Sequence, residues 1–142
     1  MSVRTYEARD RFAFDRVAAE FARTIRPGDA VGLVGELGSG KTTFVRAVVR
    51  TLHGEDSAAS PTFVFRHRYE GYPPIEHLDL YRVESSGEIA ELGLDDAFRA
   101  DAVTFVEWPE RAPHLLPDDA LVVRIAGSGP EPRRITLERH ER

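Results

Sequence analysis

The chain has 142 residues and a formal net charge of −5, a size that suits one domain around one core. It holds no cysteine, which excludes disulfides and thiol chemistry. No apolar run approaches the ~20 residues of a membrane span, and an acidic chain is ill suited to gripping nucleic acid by itself, because phosphate neutralisation dominates that binding.

The N-terminal stretch "MSVRTYEARDRF" is charged and lacks the apolar core of a secretion signal, so a cytoplasmic location is expected. From Phe14 the apolar residues fall at Val17, Ala18, Phe21, Ala22 and Ile25, which is helical spacing with one buried face. "RPGD" at Arg26–Asp29 closes that helix with a turn. Ala30–Val34 is a short continuous apolar run, as for a strand covered on both faces. After a glycine-rich stretch, Phe44, Val45, Val48, Val49 and Leu52 mark a second helix that Gly54 can stop.

Ser60–Tyr69 and Ile75–Tyr81 alternate as strands, with the turn-like "EGYPP" between them suggesting a hairpin. Ser85 followed by Glu88 resembles a capping box opening a short helix through Ile89 and Leu92, with Gly93 as its end and another helical turn at Leu94–Phe98. Ala102–Glu107 is a second fully apolar strand and ends on a carboxylate. "ALVVRIA" and "RRITLER" flank "GSGPEP" as a C-terminal hairpin. The order is helix, strand, helix, two strands, helix, strand, two strands, which gives an α/β fold with a mixed sheet.

The segment Gly35-Glu36-Leu37-Gly38-Ser39-Gly40-Lys41-Thr42, followed by Thr43, satisfies G-x-x-x-x-G-K-[ST] in full, with a buried strand before it and an amphipathic helix after it. Glycines let such a loop turn tightly and aim its N–H groups at phosphate oxygens, and the helix adds the positive end of its dipole. Lys41 would bridge the β- and γ-phosphates and the Thr42 hydroxyl would bind Mg²⁺. Lys41 is also the one lysine of the chain, among otherwise exclusively arginine cations, as expected where a compact ammonium is needed. The chain has no asparagine and no glutamine. It therefore lacks the Asn-Lys-x-Asp element of guanine recognition and the glutamine that orients water in Ras-type enzymes. ATP is the expected nucleotide, and hydrolysis must use a carboxylate or a group from a partner.

Two acids lie where Mg²⁺ or water would need them. Glu107 ends an apolar strand, and ligands bind beyond the carboxyl ends of such strands. Asp79 shares a strand face with Ile75, His77 and Tyr81; a metal shell, or a salt bridge to Arg82 or Arg68, could satisfy it. Thr62, after Ser60-Pro61, is either a switch-like threonine reaching phosphate or metal, or an ordinary strand start. Trp108 is the one tryptophan; it either anchors the sheet edge or reports on nucleotide from its position beside Glu107. Arg111 and Arg82 are candidates for charge stabilisation or plain surface cations. The five histidines show no metal-ligand spacing.

"GELGSGKTT", "SPTFVF", "HLDLYR", "ELGLDD" and "VEWPER" occur together in this order. The joint pattern, from about Phe14 to Arg111, resembles the TsaE family of bacterial tRNA threonylcarbamoyladenosine formation. The resemblance implies one P-loop NTPase-like three-layer α/β domain over residues 1–142, with a mixed parallel and antiparallel sheet. It implies ATP and Mg²⁺ binding, weak hydrolysis, and action through the TsaB–TsaD complex, with tRNA engaged only through that complex and no membrane. Carried onto matching positions, residues 35–43 hold the nucleotide with Trp108 and Arg111. Lys41, Thr62, Asp79 and Glu107 are the catalytic set, and Thr42, Glu107 and Asp79 the metal set. Arg133 and Arg134 are candidates for adenine contacts. A small-molecule kinase using the same loop is the alternative, although no arginine-rich insertion of lid length is present.

Overall fold

The computed structural model describes residues 2–55, 60–63, 65–84, 87–88, 91 and 93–139, with 60–63 and 95 described by their backbone alone. The elements run β1 (Ser2–Ala8), α1 (Arg11–Ala22), β2 (Ala30–Gly35), α2 (Lys41–His53), β3 (Ser60–Phe63), β4 (Arg66–Tyr69), β5 (Ile75–Asp79), β6 (Val103–Glu107), β7 (Leu121–Ala126) and β8 (Arg133–Arg139), with 3-10 turns at Leu94–Ala97 and Pro109–Arg111. Among the described residues the strands form one sheet in the order β1-β8-β7-β2-β6-β5-β4-β3. The central strands β7, β2, β6 and β5 are parallel, and antiparallel pairs flank them on both sides. This is the expected α/β class with a mixed sheet.

The continuous apolar runs of β2 and β6 are explained by cover on both faces. On one face lie α1 and α2. Asp10 caps α1 by accepting the Ala13 N–H at 2.9 Å, and the helix buries Phe14, Val17, Ala18, Phe21 and Ala22. Phe44 of α2 meets Phe14 edge-on at 6.0 Å and Phe21 at 5.6 Å between ring centroids, which locks the two helices together. On the other face Leu78, Leu80, Val83, Leu94, Ala97, Val106 and Ala112 form a second cluster beneath the 3-10 turns. Among the described residues no helix is long and apolar enough to cross a membrane.

Three local expectations are revised. Strand β1 precedes the first helix and pairs antiparallel with β8, Ser2 opposite Arg139 through Ala8 opposite Arg133. Ser60–Tyr69 is two antiparallel strands rather than one, with a register shift between Pro61 and Phe63. The first helix begins at Arg11 and stops at Ala22, before Ile25. The β4–β5 and β7–β8 hairpins form as expected. Ser85, Ile89 and Leu92 of the expected capped helix lie outside the described residues, while Leu94–Ala97 forms the expected following turn.

Candidate functional site

The sheet's parallel centre fixes where the chemistry collects. β2 ends at Gly35 and delivers the chain into the phosphate loop, and α2 starts at Lys41. Gly40, at φ +112°, turns the chain into α2 in a conformation that side chains resist. Gly35 is required by crowding: a Cβ there would lie 2.5 Å from Ser39 Oγ and 2.6 Å from the Ile125 carbonyl oxygen. In the next strands, Asp79 of β5 lies in register with Glu107 of β6, and Glu107 with Leu33 of β2. Parallel neighbours in register share a sheet face, so both acids rise at the same end of the sheet as the loop.

A cavity of about 300 Å³ is lined by Glu36, Leu37, Gly38, Ser39, Gly40, Lys41, Thr42, Thr43, Asp79, Tyr81, Glu107 and Trp108. Most of the residues singled out from sequence are therefore brought to one place. Thr42 Oγ1 donates to Glu107 Oε2 at 2.7 Å, and His77 Nε2 lies 2.5 Å from that same oxygen. Burial works to raise the Glu107 carboxyl, but the hydrogen bond and charge of His77, the Thr42 hydroxyl and Lys41 outweigh it and hold the group below the ordinary glutamate range. An ionised carboxylate only accepts, so the His77 Nε2 carries the hydrogen.

Lys41 donates to the carbonyls of Gly35 and Glu36, and its Nζ lies 3.9 Å from the centroid of the Trp108 ring. Burial pushes its ammonium down from the ordinary lysine value, against the opposing pull of Glu107, Glu110 and Asp79. Trp108 is the one described non-glycine residue at positive φ (+60°), which turns the chain sharply after β6. Its ring packs on Tyr81 at 5.0 Å.

Asp79 makes no ion pair among the described residues. Its Oδ1 accepts the Tyr81 N–H at 3.1 Å, and Arg68 is taken by Glu76 at 2.8 Å. Arg111 is exposed and stands 5.8 Å from the Tyr81 ring centroid, outside the cavity lining. Thr62 lies at the register shift of β3, and its side chain is outside the described set.

The hard-oxygen pair Thr42 and Glu107 suits Mg²⁺. Among the described residues there is no cluster of three or more His, Cys, Asp or Glu that could hold a metal, but Mg²⁺ keeps waters and substrate phosphates and needs only one or two protein oxygens. The donor set fits.

Sequence reasoning missed two contributors. His77 was visible as a neighbour of Asp79 on one strand face, but its contact with Glu107 depends on β5 lying beside β6. The second is a further cavity of about 280 Å³ on the other side of the loop, which shares Gly38, Ser39, Gly40 and Thr43 and adds Ala8, Arg9, Asp10, Arg11, Phe14, Gly129, Pro130, Glu131 and Arg133. It joins both ends of the chain, which only the β1–β8 pairing brings together.

A family model described as threonylcarbamoyl adenosine biosynthesis protein TsaE matches residues 8–135. The chain is 37% identical over 135 residues to the tRNA threonylcarbamoyladenosine biosynthesis protein TsaE of Bacillus subtilis (strain 168), covering 94% of this chain and 82% of that one. It is 42% identical over 110 residues to the TsaE protein of Rickettsia bellii, covering 76% of each. The fold is similar to the crystal structure of Bacillus subtilis YdiB, with a TM-score of 0.78 and 29% identity over 96% of this chain and 84% of that chain. The chain belongs to the TsaE family of tRNA threonylcarbamoyladenosine biosynthesis.

Proposed function

We propose that this protein is a cytoplasmic, Mg²⁺-dependent ATPase of low intrinsic activity that supports tRNA threonylcarbamoyladenosine formation through the TsaB–TsaD complex. The observation that carries this reading is the convergence of Lys41, Thr42, Asp79 and Glu107 on one cavity at the carboxyl end of the parallel strands. The phosphates lie along the loop N–H groups and the base enters the cavity between the two chain ends. Lys41 gives up its carbonyl partners for the β- and γ-phosphates. Thr42 and Glu107 would hold Mg²⁺, which would supply positive charge to offset that of the phosphates. Asp79, which lines the same cavity as Glu107, would orient water or a metal-bound water. Thr62 is the switch-like candidate.

The missing glutamine suits activation by another protein, and Arg111 is exposed to one. The net charge of −5 suits contact with tRNA through partners rather than directly. The test is ATP hydrolysis by the purified protein with and without TsaB–TsaD. Strong stimulation is expected. Absence of stimulation, together with phosphoryl transfer to a small metabolite by the protein alone, would instead establish a kinase.

A further inference from the structure

Arg133, at the start of β8, reaches back to the phosphate loop 94 residues earlier in the chain. Its Nε donates to the Ser39 carbonyl at 2.8 Å and its Nη2 to the Gly38 carbonyl at 3.3 Å. The same guanidinium binds the carbonyls of Gly129, at 3.1 Å, and Glu131 in the β7–β8 turn. One planar fork therefore ties two loops together, which a lysine's point charge could not do.

The direction of these bonds matters. In a trans peptide the carbonyl and the following N–H point opposite ways. Pulling the Ser39 carbonyl toward β8 therefore aims the Gly40 N–H away from β8. Two of the loop's other carbonyls are held by local backbone donors: Glu36 accepts from Ser39 N–H at 3.0 Å, and Gly40 accepts from Phe44 N–H at 2.8 Å. Gly35 and Glu36 also accept from Lys41. The Ser39 hydroxyl does not help, since it is buried without a partner among the described residues. If Lys41 turns to phosphate, its bonds to the loop are lost. Among the described residues Arg133 is then the long-range side chain still bonded to the loop's carbonyls, as a brace.

We propose that Arg133 is a positioning residue of the phosphate loop, holding the Ser39 carbonyl toward β8, with the Gly38 carbonyl beside it, so that the Gly40 N–H is pre-aimed at phosphate. The inference rests on the nucleotide reading above for its consequence, but its local effect does not. Two measurements on the full chain test it, using Arg133→Ala and Arg133→Lys. The first is amide hydrogen exchange at residues 38–41 without ligand. Arg133→Ala should speed it by about tenfold, the scale of losing a charge-assisted bond, and unchanged exchange would overturn the brace whether or not ATP binds. The second is calorimetry with Mg²⁺–ATP and with inorganic tripolyphosphate, which has no base to contact. Arg133→Ala should weaken both by a similar factor, about tenfold, and Arg133→Lys should recover only part. Tripolyphosphate affinity equal to wild type would overturn the proposal, and a loss confined to ATP would assign Arg133 to the nucleoside instead. Should the alanine variant fail to fold, Arg133→Lys carries both readouts, with the same signs. A wild-type protein that binds no ATP would refute the nucleotide reading, while the exchange result still decides the brace.

Discussion

Thr42 and Glu107 stand 65 residues apart in sequence and share a 2.7 Å hydrogen bond at the floor of the phosphate site. The carboxylate oxygen that accepts from Thr42 also faces His77, so this buried group is held through one oxygen while it lines the cavity. On the proposed reading, Glu107 serves the metal and Lys41 the phosphates, so the two roles can be separated by mutation. Glu107→Ala should lower Mg²⁺-dependent ATP turnover in the TsaB–TsaD complex by about a hundredfold, the scale of removing one group that stabilises developing charge. Nucleotide affinity measured with the metal chelated should change far less. Normal metal-dependent turnover in the variant would remove Glu107 from the metal set.

Lys41 presents the opposite case. Its ammonium is buried against loop carbonyls and the Trp108 ring, and a triphosphate must compete it away from both. Lys41→Ala should weaken ATP by roughly ten- to a hundredfold, as expected for lost charge-assisted bonds. If Lys41 turns to the phosphates as proposed, the cation leaves the indole, and Trp108 fluorescence should change as ATP is titrated into wild type. Calorimetry reads the first effect. A flat fluorescence titration with binding confirmed would take Trp108 out of the site.

The phosphate loop and the apolar strands beside it were legible because their signals are local: a fixed glycine spacing, and continuous apolar runs wherever both sheet faces are covered. Strand β1 was not, because its residues are mostly exposed and it is held by backbone pairing with β8 rather than by an inward-facing apolar stripe. The split of Ser60–Tyr69 into two strands carries no glycine, asparagine or aspartate to announce a turn. His77 and Arg133 act through contacts 30 and 94 residues distant. Only strand order and register create those contacts.

Gly35 illustrates how closely the loop is fitted. Ser39 Oγ and the Ile125 carbonyl already occupy the space a methyl group would take, at 2.5 and 2.6 Å. The carbonyl belongs to a central strand and cannot swing aside. Gly35→Ala should therefore cost about 1–3 kcal/mol of stability, the range for overpacking a filled site. It should weaken ATP binding as well, because relief must come from moving the loop. Denaturant unfolding and calorimetry on the same variant check both, and wild-type values in both would show that the strand end yields.

The far face of the sheet carries a charge network with a structural consequence. Arg66 and Glu76 are 3% and 0% exposed and pair at 2.8 Å. The hydrogen bonds that Arg66 donates to Glu76 raise its value above the ordinary one despite burial, with Asp96 adding to the effect, so the cation is permanent. Arg68 takes part of the same carboxylate, and Asp96, 76% exposed, reaches Arg66 from the Leu94–Ala97 turn. Glu76→Ala would leave a buried guanidinium with only the exposed Asp96 carboxylate as an ion-pair partner among the described residues and should cost about 3–5 kcal/mol. Asp96→Ala, removing a carboxylate largely in water, should cost at most about 1 kcal/mol. Replacing Arg66 and Glu76 together by methionine and leucine should recover most of the loss, since apolar groups of similar volume need no counter-charge. Urea unfolding of the three variants orders them. Equal losses for Glu76→Ala and Asp96→Ala would show that the buried pair is not what holds β4 to β5.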